Sequence, residues 1–240
     1  MSGGYATNNA SMMRIDVVVV IIGVIVIAIA IFYRLKNMAL LKTVTTIHRG
    51  TRSERKLILR LLKHGIPPIT TYHDLYLSKR ANNQYAQIDA VVVTKVGIIV
   101  FEVKDYSGWI FGKGYQNYWT QVLAYGREKY RFYNPIMQNK GHIEALKWKL
   151  SGIADVPFYS VIIFYGRCAL RDVSCIPDGT YIGYSEDIIP IIRFITENNP
   201  PVEYQNKRAV VNILTEAVNN GNDTNVVNQH IRNIWCKYYE

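Results

Sequence analysis

Asp89 and the triplet Glu102-Val103-Lys104 give the pattern acid, twelve-residue gap, acid-any-lysine. Two carboxylates beside one ammonium can hold a divalent cation through oxygen ligands and set a positive charge next to a phosphate. Ionised carboxylates about 4 Å apart repel by about 4 kcal/mol at an effective dielectric of about 20, so a proton or a cation must separate them. Magnesium or manganese suits an all-oxygen set. Taken alone, the triplet is equally consistent with a core strand emerging into water.

The elements that must position these groups are two runs rich in β-branched residues, 87–94 and 97–104, joined through Lys95 and Val96. A turn centred on Lys95 and Val96 places Asp89 directly opposite Glu102, with Cβ atoms about 5 Å apart, and the two-residue strand period puts Lys104 on the face of Glu102. A three-residue loop with Gly97 in the left-handed position would shift the register by one and separate the acids. Hydrophobic alternation does not choose between them, because both faces of both strands are apolar. Charged residues at the ends of such buried strands are usually paired or ligated.

Residues 53–64 read as a helix with Ser53 as N-cap, Gly65 as its stop, and an apolar stripe of Leu57, Ile58, Leu61 and Leu62. Glu54 projects from the buried side of its first turn, a third acid or simply a residue favoured by the helix dipole. Residues 69–78 read as a strand with Tyr72, Asp74 and Tyr76 on one face and His73, Leu75 and Leu77 on the other. Short strands follow around a loop at 114–117, then a helix opened by Asn134-Pro135 and running to about Leu150, then a strand over 156–164. Helix, three strands, helix, strand is an α/β layer with a mixed sheet. An edge strand at 181–183 and helices over 185–195, 206–218 and 224–238 complete the chain.

The assembled pattern resembles the nuclease-related domain family, a branch of the restriction-endonuclease-like PD-(D/E)xK superfamily, over residues 50–164. The resemblance rests on Gly50 with Glu54, Gln87-Ile88-Asp89, the run 97–104 with Tyr106 and Gly108, Trp119 and Gln121, and Asn134-Pro135 with Gln138-Asn139 and His142. It implies a restriction-endonuclease-like core in which Glu54, Asp89 and Glu102 hold Mg2+ or Mn2+ and Lys104 is the catalytic lysine. Gln121 matches a family position, and Gln138 is similar to a helix glutamine that supports the site in related nucleases. The implied reaction is phosphodiester hydrolysis, with DNA the expected substrate. Ile88-Asp89 replaces the Pro-Asp pair that names the superfamily, as in other members of this branch.

Residues 113–149 carry seven Lys or Arg against Glu128 and Glu144, interleaved with aromatics. Lys113, Trp119, Arg127, Lys129, Arg131, Gln138 and Lys140 are the candidate contacts for phosphates and unstacked bases. Residues 34–64 carry nine Lys or Arg against Glu54 alone, part of a formal net charge of +10. Such a patch attracts anionic lipid as well as nucleic acid.

Residues 15–33 form an apolar run of about 28 Å as a helix, enough to span a hydrocarbon core. Ala28-Ile29-Ala30 is similar to a signal-peptidase site, but the positive charge that follows reads the run as a single-pass anchor, with residues 1–14 outside and all beyond Arg34 cytoplasmic. The sequence thus divides into a polar N-terminus (1–14), a transmembrane helix (15–33), a basic linker (34–49), a nuclease-related domain (50–165) and a C-terminal part (166–240). Cys168, Cys175 and Cys236 fit reduced thiols, and neither they nor the histidines show zinc spacing. Two other functions remain open: a catalytically silent module that binds nucleic acid or a partner at the membrane face, and a lipid-associated scaffold.

Overall fold

The structure, a computed structural model, describes residues 5–79 and 84–239. Positions 1–4 of the expected polar N-terminus lie outside the described residues. Two compact units, residues 1–43 and 44–240, divide the chain.

The first unit is one helix, α1 (Tyr5–Leu41). Its stretch Val18–Leu41 is long and apolar enough to cross a membrane. The helix does not stop at Tyr33: it continues through Arg34 and Lys36, so the first half of the segment expected as a linker is helical. No glycine or proline interrupts Leu35 to Leu41, and Thr43 ends the helix by donating its hydroxyl to the Leu40 carbonyl at 2.7 Å.

In the second unit, α2 (Arg52–Lys63) buries the expected stripe of Leu57, Ile58, Leu61 and Leu62. Its cap is Thr51, whose hydroxyl accepts from Glu54 N, and not Ser53. Gly50, at φ +60°, turns the chain so that Thr51 is extended and able to cap, while Ser53 falls inside the first turn and donates to the Asp105 carboxylate.

Five strands form the main sheet: β1 (Thr71–Ser78), β2 (Tyr85–Thr94), β3 (Gly97–Asp105), β7 (Phe158–Tyr165) and β9 (Thr180–Tyr184), in the order β1-β2-β3-β7-β9. The first three are antiparallel, and β7 and β9 continue parallel to β3. A four-stranded sheet, ordered β6-β5-β4-β8, holds β4 (Gly108–Lys113), β5 (Tyr118–Leu123), β6 (Glu128–Tyr133) and β8 (Cys168–Ser174). The sequence reading has no counterpart for β6 and β8. The helix α3 (Pro135–Leu150), capped by Asn134, packs against β3 and β7. After β9 come α4 (Ile188–Asn198), α5 (Lys207–Asn220) and α6 (Thr224–Tyr239).

One core lies where α3 and α5 cover the main sheet, around Leu75, Ile88, Val100, Leu146 and Leu214. Another lies around Ile110, Trp119, Ile162 and Phe164, which tie the smaller sheet to β7. Mixed sheets flanked by helices agree with the expected α/β class.

Candidate functional site

The β2–β3 hairpin takes the two-residue turn. Thr94 pairs with Gly97 and Ala90 with Phe101, and Gly97, at φ +137°, approaches the Pro157 carbonyl so closely that a Cβ would collide with it. That register points Asp89 at Glu102, but the ladder ends one step short, at Ala90 and Phe101. Beyond it, Val103 N–H donates to Asp89 Oδ2 at 2.7 Å, so a side chain takes the place of a ladder acceptor.

The cause is a kink shared by two strands. Pairing between β1 and β2 skips Asp74 and Asp89, and Asp74 is left-handed at φ +55°. Tyr72 and Leu75, three residues apart, face the same core, as do Ile88 and Val91. Each strand therefore loses one beat of its alternation at the skipped aspartate. The expected grouping of Tyr72, Asp74 and Tyr76 on one face fails for this reason. Arg49 holds the kink, donating to Asp74 Oδ2 at 3.2 Å and to the Asp74 carbonyl at 2.6 Å, and Gln87 donates to Asp74 Oδ1 at 3.0 Å.

On β3, Glu102 is buried, and its Oε1 lies 2.7 Å from Lys104 Nζ. Lys104 also donates to Gln138 Oε1 on α3 at 3.0 Å. One turn on, His142 Nδ1 is 3.5 Å from Glu102 Oε2. Between them Asn139 donates to the Val100 carbonyl and to Ser160 Oγ, both at 2.9 Å, which pins α3 across β3 and β7. Glu54 enters from α2, its Oε2 3.4 Å from His73 Nε2, while His73 Nδ1 is 2.7 Å from Thr45 Oγ1. A Cβ at Gly50 would run into both Glu54 Oε2 and the His73 ring, so a glycine is required there.

Burial pushes Asp89 well above the usual carboxylate range, and the negative charges of Glu102 and Glu54 push the same way. Glu102 is also raised by burial, which Lys104 offsets only in part. Burial would raise Glu54, but His73 and the Thr51 cap more than offset it and hold this carboxyl below its ordinary value. Desolvation works against the charge of Lys104, yet Glu102 outweighs it and the ammonium stays raised, hence charged at neutral pH. Burial, with the Lys104 charge adding, pushes His142 down to about 3, so its imidazole is neutral at pH 7.

Among the described residues, no three His, Cys, Asp or Glu side chains are grouped as a metal cage. Lys104 holds Glu102 Oε1, and Val103 N–H holds Asp89 Oδ2. The donor chemistry nevertheless suits a hard cation, because Glu54 Oε2 and Glu102 Oε2 are buried and make no hydrogen bond.

Of the other expected residues, Gln138 reaches the site as the support of Lys104, whereas Gln121 on β5 donates to the Ser107 carbonyl at 2.8 Å. Trp119 is fully buried, stacked parallel to Phe164 with centroids 6.3 Å apart, and offers no face to a nucleic acid. It alternates with exposed Tyr118, and the alternation turns it inward. Arg127, Lys129, Arg131 and Lys140 are exposed, and Lys113 is half-buried. Sequence reasoning gave no role to His73 or His142. The order of residues on either histidine's own strand or helix carries no sign of the acid it meets, and only folding brings each to its partner.

Residues 49–165 match the model of a family described as the nuclease-related domain. An uncharacterized protein of Bacillus anthracis is 29% identical over 156 residues, covering 61% of this chain and 67% of that protein. No solved structure matches the chain.

Proposed function

Because the chain belongs, through residues 49–165, to the nuclease-related domain family with its restriction-endonuclease-like fold, we propose that it hydrolyses phosphodiester bonds of nucleic acid, DNA in the first instance. The observation that carries this reading is the buried Glu102–Lys104 pair, with Asp89 and Glu54 close enough to act on it electrostatically. Packing alone does not favour setting two buried carboxylates, Glu54 and Glu102, beside half-buried Asp89, and a divalent cation relieves their repulsion.

Asp89, Glu102 and Glu54 are the residues that would hold Mg2+ or Mn2+. Bound there, the ion would lower the pKa of a coordinated water and neutralise charge on the scissile phosphate. Lys104, kept charged by Glu102 and aimed by Gln138, acts as a fixed positive charge for a phosphate oxygen and not as a base. His73 orients Glu54, and neutral His142 lines the inner wall without adding a competing cation. The exposed Arg127, Lys129, Arg131 and Lys140 supply contacts to the phosphate backbone. The apolar helix anchors the protein, its more basic C-terminal flank faces the cytoplasm, and the Lys and Arg of residues 34–64 add attraction to anionic lipid.

Full-length protein in detergent should nick supercoiled plasmid with magnesium or manganese, and Lys104→Met should not. Nicking that survives Asp89→Asn with Glu102→Gln would reject this site. One observation favours a second reading: the closed Glu102–Lys104 pair, with no three-donor group assembled among the described residues, also fits a domain that binds nucleic acid without cutting it. Binding by both wild type and variants, with no nicking, would establish that reading.

A further inference from the structure

The outer face of the four-stranded sheet carries a second feature that the acid cluster does not use. Outside α1, every exposed tyrosine among the described side chains (Tyr115, Tyr118, Tyr125, Tyr130 and Tyr133) falls within residues 115–133, on and around β5 and β6. Strand pairing shows which of them share a face. Tyr118 is opposite Tyr133, Thr120 opposite Arg131, and Val122 opposite both Lys129 and Trp109. These residues alternate with Trp119, Ile110 and Phe132, which point into the core, so they form the opposite face, open to water at Tyr118, Lys129, Arg131 and Tyr133, half-buried at Trp109 and closed at Val122.

That face is laid out as aromatic rings with cations beside them. The Arg131 guanidinium lies 4.9 Å from the Tyr118 ring centroid, and Tyr133 packs edge-on to the same ring at 6.1 Å. Further along, Arg171 lies 5.3 Å from the Trp109 ring. It stands where β8 bulges, one residue out of step with β4. Tyr118 is 47% and Tyr133 40% exposed, which leaves ring surface in water. Asp172, opposite Phe111, is the acid on this face, against Lys129, Arg131 and Arg171. Trp109 and Tyr118 lie four residues apart in register, about 13 Å along the strands.

We propose that this face is a binding platform for single-stranded nucleic acid, with bases stacking on Tyr118, Tyr133 and Trp109 and phosphates held by Lys129, Arg131 and Arg171. The proposal rests on the nuclease-related reading and narrows its substrate to strands with unpaired bases. Exposed aromatic rings on an open sheet meet the faces of unstacked bases, which a duplex hides within its own stack. The adjoining guanidiniums add charge and can stack as well. A double helix would draw on the cations and leave the rings unused.

The test is fluorescence anisotropy of full-length wild-type protein in neutral detergent micelles with EDTA, using a labelled 20-nucleotide oligothymidylate and a 20-base-pair duplex. The single strand should bind at least tenfold more tightly. Each stacked base contributes about 1–3 kcal/mol, or roughly five- to 150-fold. Tyr118→Ala should therefore weaken single-strand binding at least fivefold and leave duplex binding within twofold. Tyr118→Phe keeps the ring and should bind as wild type does, separating stacking from any loss of fold. Equal affinity for the two ligands, or a Tyr118→Ala protein that binds the single strand like wild type, overturns the proposal. Failure of nicking bears only on the acid cluster: single-strand binding that depends on Tyr118 in a protein that cuts nothing upholds the platform and removes the catalysis.

Discussion

Replacing Lys104 with methionine removes the ammonium that lies 2.7 Å from Glu102 Oε1 and 3.0 Å from Gln138 Oε1. The Glu102 side chain is 2% exposed, whereas that of Lys104 is 17% exposed. Removing one partner of a fully buried pair costs about 3–5 kcal/mol. Water reaching the Lys104 end replaces part of that, so the expected loss is about 2–4 kcal/mol at pH 8. The pH dependence follows from Glu102. Burial already raises its folded pKa above 4.5, and without Lys104 it rises further. A carboxyl raised on folding binds its proton more tightly in the folded state, so stability is greatest below the unfolded pKa and falls as pH climbs through the folded one. Lys104→Met should therefore lose less toward acid pH, as Glu102 takes up its proton, and progressively more toward pH 8, at up to about 1.4 kcal/mol per pH unit. Thermal unfolding of the full chain in detergent, followed by near-ultraviolet circular dichroism of its aromatic side chains, reads this as a Tm drop of about 5–12 °C at pH 8 and under half of that at pH 5. Adding Glu102→Gln removes the stranded charge and should recover at least about 2 kcal/mol as non-additivity. A drop of equal size at both pH values, or single variants that add to within about 0.5 kcal/mol, would refute the account of Glu102 as a buried charge held by Lys104.

Manganese at 100 times its Kd should stabilise the protein by about 2.7 kcal/mol near pH 8. The gain should shrink toward pH 5 as raised Asp89 and Glu102 take up protons, and it should vanish in Asp89→Asn with Glu102→Gln; a thermal shift blind to pH contradicts this ligand set. Gly97→Ala places a Cβ against the Pro157 carbonyl at φ +137° and should cost more than about 3 kcal/mol in urea denaturation, while Lys95→Ala in the same turn stays within about 0.5 kcal/mol. Cys175 is exposed, so in a Cys168→Ser, Cys236→Ser background an impermeant maleimide should label it in inside-out vesicles and not in intact cells. Labelling of intact cells would reverse the orientation proposed for the anchor.

The hairpin was legible only as a choice between two registers, and the two-residue turn is selected by a contact outside the hairpin, the close approach of Gly97 to the Pro157 carbonyl. The kink at Asp74 and Asp89 was not legible. A left-handed aspartate inside a strand is held by Arg49 from the segment before α2 and by Gln87 from β2, neither adjacent to it in sequence. Trp119 shows the same limit from the other side. Its charged and aromatic neighbours suggest a surface, and a single beat of alternation against Tyr118 puts it in the core. Glu54 was legible as a buried-face acid, but its contact with His73 depends on Gly50 turning the chain before Thr51, and that turn belongs to the cap that the sequence assigned two residues too late.

The same kink links ligand and fold. Asp89 Oδ2 stands in for a ladder acceptor by taking Val103 N–H, and Val103 lies between Glu102 and Lys104. A cation that drew this oxygen away would leave the N–H without its partner, so binding at the acids and the geometry of the β3 end cannot be independent. Asp89→Asn keeps an oxygen that can accept from Val103 while removing the charge, whereas Asp89→Ala removes both. Stability should therefore separate the two, with the alanine variant losing an additional 1–3 kcal/mol, roughly the cost of an unsatisfied buried donor, while both lose the manganese shift. If asparagine and alanine destabilised alike, Asp89 would hold the strand end only through its charge, and the strand and the cation would compete for nothing.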